Sequence, residues 1–513
     1  MVRSSLSPPG NQRDSWAGGM KTRARGQSDA NMVWEHLLAR PDPARGAITV
    51  QVIESFVDAI VSRQIPAGVR VPSTRAMAAT LGIGRNTAIA AINSLVEQGY
   101  LVVKDRSGVF VAQFGFEAGA TERRNEPRET DYDWHRRLGL ERPAPRSQPL
   151  APPSYNFRYG QFDPSTFPTS HWRQCERSAL GLTQIADWGR DMVDMDDAGL
   201  IESLRRHVLP NHGIWAEANE ILITLGGQEG RYLVARLLGQ AGTTVGLERP
   251  GLPDMEQLIR STAAKRVHLP VDQNGAVLSV ELRQCDVIFI TPGHQCPTTA
   301  VMPVERRQAL LDIARRRDTI VVEDTYDTEV LSHGRMTPSL KSLDREGRVI
   351  HIGSLSKAVA PGLRTGFVVA SPPVIEALRA IRRLIHRHPP GNIQRTLAMF
   401  IDRGYYHSYL RKVSGILQRR REVLSAALGE LKTPARIVGS EGASTFWVEV
   451  PASVDTAALS AVLESEGVLV DPGSRFFTDD APRNYLRIAV SQIHESQIGK
   501  GVRRIDAAIR AAA

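Results

Sequence analysis

From about Tyr155 onward, short apolar strands alternate with helical stretches, and this alternation restricts the fold more than any other feature. "EILITLG" runs into "EGRYLVARLLGQ", "DVIFITPG" leads to "VERRQALLDIARRR", and "TIVVEDTYD" is a third strand of the same kind. Strands joined through helices pair in parallel and are covered on both faces, so they read as continuous apolar runs. About 360 residues of this pattern predict an α/β domain with a mainly parallel sheet. The 513-residue chain is longer than one ordinary domain. Residues 1–45 are rich in Ser, Pro, Gly and Arg without periodicity and are expected to be a disordered tail. Met20 and Met32 stand as alternative starts. Residues 46–112 carry a compact helical pattern that ends strand-like. Residues 113–152 have linker composition, closing on "ERPAPRSQPLAPP", and 153–513 form the large domain.

With 42% hydrophobic and 23% charged residues, wholesale disorder is excluded. No run of about 18 uncharged apolar residues occurs, so no membrane span is expected, and residues 1–30 lack the apolar core of a secretory signal. Cys175, Cys285 and Cys296 form no CxxC pair, which argues against a disulfide framework or a structural zinc site and fits a reducing cytoplasm. The net charge of +9 permits a nucleic-acid partner without demanding one. Residues 1–112 hold 13 basic against 8 acidic residues, yet 48–112 hold only 6 against 4, so charge placement matters more than its sum.

Residues 48–112 read as three helices and a hairpin. The first runs from about Ile48 to Ser62 with Val52, Phe56, Ile60 and Val61 on one face. Ser73 is a suitable N-cap for "TRAMAATL", which stops at Gly82. A tight turn through Gly84 opens a third helix, Arg85 to about Gln98, with Ile89, Ile92, Leu95 and Val96 at helical spacing. "YLVVKDRSGVFVA" then reads as two strands turning at Ser107-Gly108. Two short helices with a Gly-containing turn have helix-turn-helix form, in which the start of the second helix meets the major groove. Taken alone, the spacing also fits a three-helix bundle with no DNA role.

In the large domain, "VIHIGSLSKAVAPGLRTGFVV" carries an apolar strand into Ser354, Ser356 and Lys357, with Arg364 seven residues on. A lysine beside hydroxyls and a second cation in a partly buried loop is expected to have a lowered pKa and to form a Schiff base. Ser354, Ser356 and Arg364 are donors for a dianionic phosphate. A surface lysine in a Ser-rich loop is the plain alternative. Asp324 ends an apolar strand, where an acid can face a protonated pyridine nitrogen, and Tyr326 is placed for a ring oxygen. "ITLGGQEGRYLVARLL" is a strand, a Gly pair and a helix, whose first N–H groups at Gly227 and Gln228 favour phosphate.

Two resemblances tie these pieces together. "IVSRQIPAGVRVPSTRAMAATLGIGRNTAIAAINSLVEQGYLVVKDRSGVFVA" resembles the winged helix of the GntR family. "YGQFDPSTFP", "TPGHQCPT", "VEDTYDTE", "GSLSKAVAPGLRTGF" and "GVLVDPGSRFF" resemble fold-type I aminotransferases, so the whole chain resembles the MocR/GabR regulators. The resemblance implies a winged helix-turn-helix followed by a pyridoxal 5'-phosphate-binding domain with a small C-terminal subdomain. It implies DNA contacts from Arg75, Arg85, Asn86 and Thr87, with Gly108 at the wing tip. It implies a cofactor aldimine on Lys357, with Asp324 at the pyridine nitrogen, Tyr326 at the ring oxygen, and Ser354, Ser356, Arg364, Gly227 and Gln228 at the phosphate. Arg487 in "NYLRIAV" matches the arginine that grips an effector carboxylate; a strand-edge surface arginine is the alternative. A homodimer on two half-sites is implied as well.

The chain departs from the family pattern at several positions. Gly84 replaces a frequent Ser. Leu252 stands where an aromatic usually stacks on the ring, and Cys296 and Thr299 replace the Asn and Gly of "N-P-T-G". Thr325 replaces an Asp, and "DMVDMDDAGLIESLRRHV" lacks the Tyr that reaches a neighbouring subunit. Formation of a Schiff base needs none of these residues, whereas efficient transamination needs ring stacking and fixed geometry. The expected function is therefore a DNA-binding regulator, with no catalytic residue assigned, that senses an amino compound by external aldimine formation. A working aminotransferase with an attached DNA-binding module is the alternative, and a regulator that has abandoned the cofactor is a third.

Overall fold

The computed structural model describes residues 34–113, 137, 154–160, 162–326, 338–438, 444–477 and 482–513. Most of the expected tail and linker lies outside them. The chain divides into two compact units, Met1–Ala144 and Pro145–Ala513.

The first unit holds α1 (Trp34–Leu37), α2 (Ile48–Val61), α3 (Thr74–Leu81), α4 (Arg85–Glu97), β1 (Leu101–Lys104) and β2 (Gly108–Val111). Structure begins earlier than the expected end of the tail. Trp34 packs on Phe56 with ring centroids 6.0 Å apart, and Leu38 is buried in the same core. Two apolar positions of these helical patterns lie off the core: Val61 is 67% exposed and Ile89 36%, while Ala88 and Ala91 fill the space beside Ile92 and Leu95. Small residues there let α4 approach α2 and α3 closely. Ser73 caps α3 by accepting from the Ala76 N–H, and Gly82 ends it with a φ of +69°, where glycine is favoured. Gly84 precedes α4 with no side-chain cap. The β1–β2 hairpin pairs Lys104 with Gly108 and turns at the expected place.

The second unit is built on an eight-stranded sheet. In chain order its strands are β4 (Ile221–Thr224), β5 (Thr244–Arg249), β6 (Lys265–Asp272), β7 (Gly275–Ala276), β8 (Val287–Ile290), β9 (Ile320–Thr325), β10 (Val349–Ser354) and β11 (Gly366–Val369). Spatially they run β4-β11-β10-β9-β8-β5-β6-β7. Pairs β10/β9, β9/β8, β8/β5 and β5/β6 are parallel, and β11 is antiparallel to both its neighbours. Both faces are covered, as the apolar runs required. Along β8, Val287 and Phe289 join one core cluster while Ile288 and Ile290 join the opposite one. The α5 helix (Gly226–Leu238) lies on one face, where Gly230 is needed. A Cβ there would stand 3.0 Å from Ile352 and 3.2 Å from Val368.

The small C-terminal subdomain is a second, antiparallel sheet of β12 (Arg436–Val438), β13 (Thr445–Glu449), β15 (Asp471–Pro472) and β16 (Tyr485–Ala489), in the order β12-β13-β16-β15. A short parallel pair joins β14 (Val468–Leu469) to β3 (Tyr155–Asn156), so the start of the large unit is stitched to this subdomain. Phe157 is buried in its core. The long α6 (Tyr405–Gly429) packs against the last helix, α7 (Glu495–Ala512). Among the described residues, no helix is long and apolar enough to cross a membrane.

Candidate functional site

The parallel pairing of β9 and β10 sets Ile352 opposite Asp324, so Asp324, Tyr326, Ser354 and Lys357 all emerge at one carboxyl edge of the sheet. Open α/β sheets bind ligands at this edge. Lys357 lies in a five-residue helix, Leu355–Val359, and its amine donates to Tyr159 Oη at 3.0 Å. The same nitrogen sits 4.1 Å from the Tyr159 ring centroid and 5.2 Å from that of Tyr326.

The α5 N-terminus faces this edge. Gly226 has a φ of +74°, and a Cβ on it would come within 3.2 Å of the Arg364 guanidinium, so glycine lets that cation lie against the helix start. Arg364 also donates to the Leu225 carbonyl at 2.9 Å. The Ser354 hydroxyl accepts from the Lys357 N–H at 3.4 Å, which leaves its proton available for an anion. Ser356 differs from the expectation. Its hydroxyl donates to the Thr365 carbonyl at 2.9 Å and accepts from the Thr365 N–H, so its one proton is spent on the following turn.

Arg487 is buried at 3% exposure in the interior of the small sheet, opposite Trp447 on one side and Asp471 on the other, which excludes the strand-edge surface alternative. Its guanidinium lies 4.0 Å from the Tyr159 ring centroid and 5.5 Å from that of Phe476. Leu252 packs with Cys296, Tyr326, Trp447 and Phe476, as an apolar wall in place of a stacked ring. Burial pushes the Cys296 thiol up, against the pull of the nearby Arg487 and Lys357 charges, so it is held neutral. Thr299 adopts a φ of +63°, the conformation that a glycine would take without strain.

Three residues of this site were not singled out from the sequence. Tyr159 bridges Lys357 and Arg487, and its N–H donates to Asp471. Arg231 pairs with Asp324 at 2.6 Å and donates to Gln228 Oε1 at 2.7 Å. Glu248, at the end of β5, accepts from the Thr291 hydroxyl at 2.6 Å and its N–H at 3.1 Å. Burial pushes its carboxyl up to about 7, with Asp324's charge adding to the rise. Two signals were available: Tyr159 opens "YGQFDPSTFP", and Arg231 stands one helical turn after Gln228, on the same face.

This donor set has the chemistry that pyridoxal phosphate needs: a primary amine, an anion cradle of helix N–H groups with Arg364, and a carboxylate at the strand edge. In the first unit, Arg75, Arg85 and Asn86 are exposed and Thr87 is half-buried; the last three form the first turn of α4.

Residues 48–111 match the family model of the gntR-family bacterial regulatory proteins, and residues 184–505 that of class I and II aminotransferases. The HTH-type transcriptional regulator TauR of Rhodobacter capsulatus is 39% identical over 479 residues, covering 91% of this chain and 97% of the relative. The chain belongs to the MocR-type regulators. The probable rhizopine catabolism regulatory protein MocR of Rhizobium meliloti is 27% identical, over 90% of this chain and 93% of its own. Among solved structures, kynurenine aminotransferase of Pyrococcus horikoshii matches with a TM-score of 0.65 and 25% identity, covering 71% of this chain and 92% of that one. This MocR-type regulator is thus a DNA-binding transcription regulator whose larger part has the fold-type I aminotransferase fold.

Proposed function

We propose that this regulator holds pyridoxal 5'-phosphate at Lys357 and uses it to sense a primary amine. The observation that carries this reading is the convergence of Lys357, Asp324, Tyr326 and the Gly226–Gln228 helix start on one sheet edge. The likeness to solved aminotransferases adds support, among them one from Thermus thermophilus complexed with N-(5'-phosphopyridoxyl)-L-leucine. Bound there, the cofactor supplies an aldehyde carbon that can exchange the lysine amine for that of an incoming ligand.

The chain's own residues do the rest. The α5 N–H groups at Gly227 and Gln228, with Ser354 and Arg364, hold the phosphate; Ser356 fixes the turn that carries Arg364. Tyr326 meets the ring oxygen. Tyr159 accepts from the Lys357 amine and orients it. Arg487 takes a carboxylate on the ligand. Beside Lys357 a cavity bounded by Phe162, Tyr409, Val413 and Leu417 gives room for the ligand's body. Leu252 and Thr299, in place of the stacking aromatic and the glycine, favour binding over turnover.

The DNA contacts are Arg75, Arg85, Asn86 and Thr87, and the functional unit is a homodimer reading two half-sites. A ligand shifts the arrangement of the two units only by its differential affinity for their states.

Lys357→Ala tests the reading. The variant is expected to bind operator DNA as before and to lose both cofactor absorbance and the response to amine. A variant that stays inducible overturns the mechanism. Sustained keto-acid release by the wild-type protein at enzyme-like rates favours the aminotransferase alternative.

A further inference from the structure

Asp324 is the carboxylate assigned to the pyridine nitrogen, and it already has a cationic partner in the protein. Arg231 Nη1 lies 2.6 Å from Asp324 Oδ2, and the two side chains are only 11% and 9% exposed. The second guanidinium nitrogen donates to Gln228 Oε1 at 2.7 Å, and Nε is buried with no hydrogen-bond partner. Arg231 therefore spans from the phosphate end of the site to its ring end. Nothing in the sequence pattern called for a cation here, and the pair joins positions 93 residues apart.

A carboxylate promotes protonation of a ring nitrogen because its charge is unanswered; an opposite charge within about 4–6 Å removes much of that effect. A guanidinium also stays protonated at every relevant pH and repels a pyridinium beside it. Another acid near Asp324 is Glu248 on β5, whose carboxyl burial pushes up to about 7, so its negative charge is only partial at neutral pH.

We propose that Arg231 is a charge-tuning positioning residue: by holding Asp324 in an ion pair, it lowers the proton affinity of a pyridine nitrogen bound at this site. This rests on the cofactor reading above. It adds a physical reason for sensing without turnover. Amine exchange at an aldehyde carbon does not need the ring as an electron sink, whereas carbon-acid chemistry does. It also makes the site bind its cofactor less tightly than an unneutralised Asp324 would.

The test is cofactor affinity, measured by titrating the full-length apo-protein with pyridoxal 5'-phosphate and following absorbance. Arg231→Leu is expected to tighten the dissociation constant by about tenfold, one pKa unit of proton affinity at the nitrogen. Arg231→Lys, which keeps a cation, is expected to stay within about twofold of wild type. In an Asp324→Asn background, Arg231→Leu is expected to change nothing, a result that a merely structural role would not give. If Arg231→Leu fails to fold, Arg231→Gln carries the same expectations. Wild-type uptake through Lys357, with Arg231 variants binding no tighter or tightening equally in the Asp324→Asn background, overturns this inference alone. A wild-type protein that takes up no cofactor overturns the function proposed above and this inference with it.

Discussion

At the residue scale, the site is held by charges whose partners lie far apart in the chain. Glu248 illustrates the consequence for stability. Its folded pKa, pushed up to about 7 by burial, lies above its ordinary value of 4.5, so the folded state binds a proton more tightly than the unfolded one. Its contribution is fully present below about pH 4.5 and lost as pH rises through about 7. Thermal melts between pH 5 and 8 are expected to show Tm falling as pH rises, with the fall reduced in Glu248→Gln; equal slopes in both proteins would refute it. Arg85→Ala is expected to weaken operator binding by at least about 1 kcal/mol, read from titrations at fixed salt. An unchanged footprint would remove Arg85 from the recognition surface. Asp324 and Tyr326 at the end of an apolar strand, and Lys357 and Arg364 in the loop after another, were legible in the sequence as neighbours at one sheet edge. Arg231 was not, because its role arises from a contact across 93 positions that no local pattern encodes; Tyr159 opens the motif "YGQFDPSTFP", but its contact with Lys357, 198 positions away, is invisible there. Ser356 was misread for a related reason: its hydroxyl is spent on Thr365, a turn contact invisible in the motif.

At the element scale, most of the fold was legible, since strand and helix periods differ and the turns carry Gly and Ser at fixed places. The exceptions have local causes. Val61 stands at the last turn of α2, where the apolar stripe has rotated off the core, and Ile89 was displaced from the core by the alanines that let α4 approach its neighbours. Trp34–Leu37 lie in a segment too short to show a period, and Trp34 packs on Phe56. Ser73→Ala is expected to cost about 1 kcal/mol, since it leaves the Ala76 N–H without its cap. Amide hydrogen exchange along α3 checks this; unchanged protection there would contradict it. Gly230→Val is expected to push α5 away from β10, because its side chain would meet Ile352 and Val368. Loss of cofactor affinity together with a lower Tm is the predicted result, and wild-type values for both would show that the helix has room to spare.

At the scale of the whole molecule, a DNA-binding head and a body with the aminotransferase fold are encoded in one chain, and β3 stitches the start of the body to the small subdomain. Arg487 sits in that subdomain and Lys357 in the large one, with Tyr159, three residues after β3, between them. On the function proposed above, a ligand that displaces the Lys357 amine and pairs with the Arg487 guanidinium would disturb Tyr159, which contacts both, and so the segment that follows β3. The measurement that bears most directly on this claim is a spectral titration of the cofactor-loaded protein with a panel of primary amines, repeated with operator DNA bound. The result predicted is that an amine which alters the Lys357-dependent absorbance does so with a different affinity when DNA is present, and by the same factor alters DNA affinity. Amine affinities identical with and without DNA would contradict it.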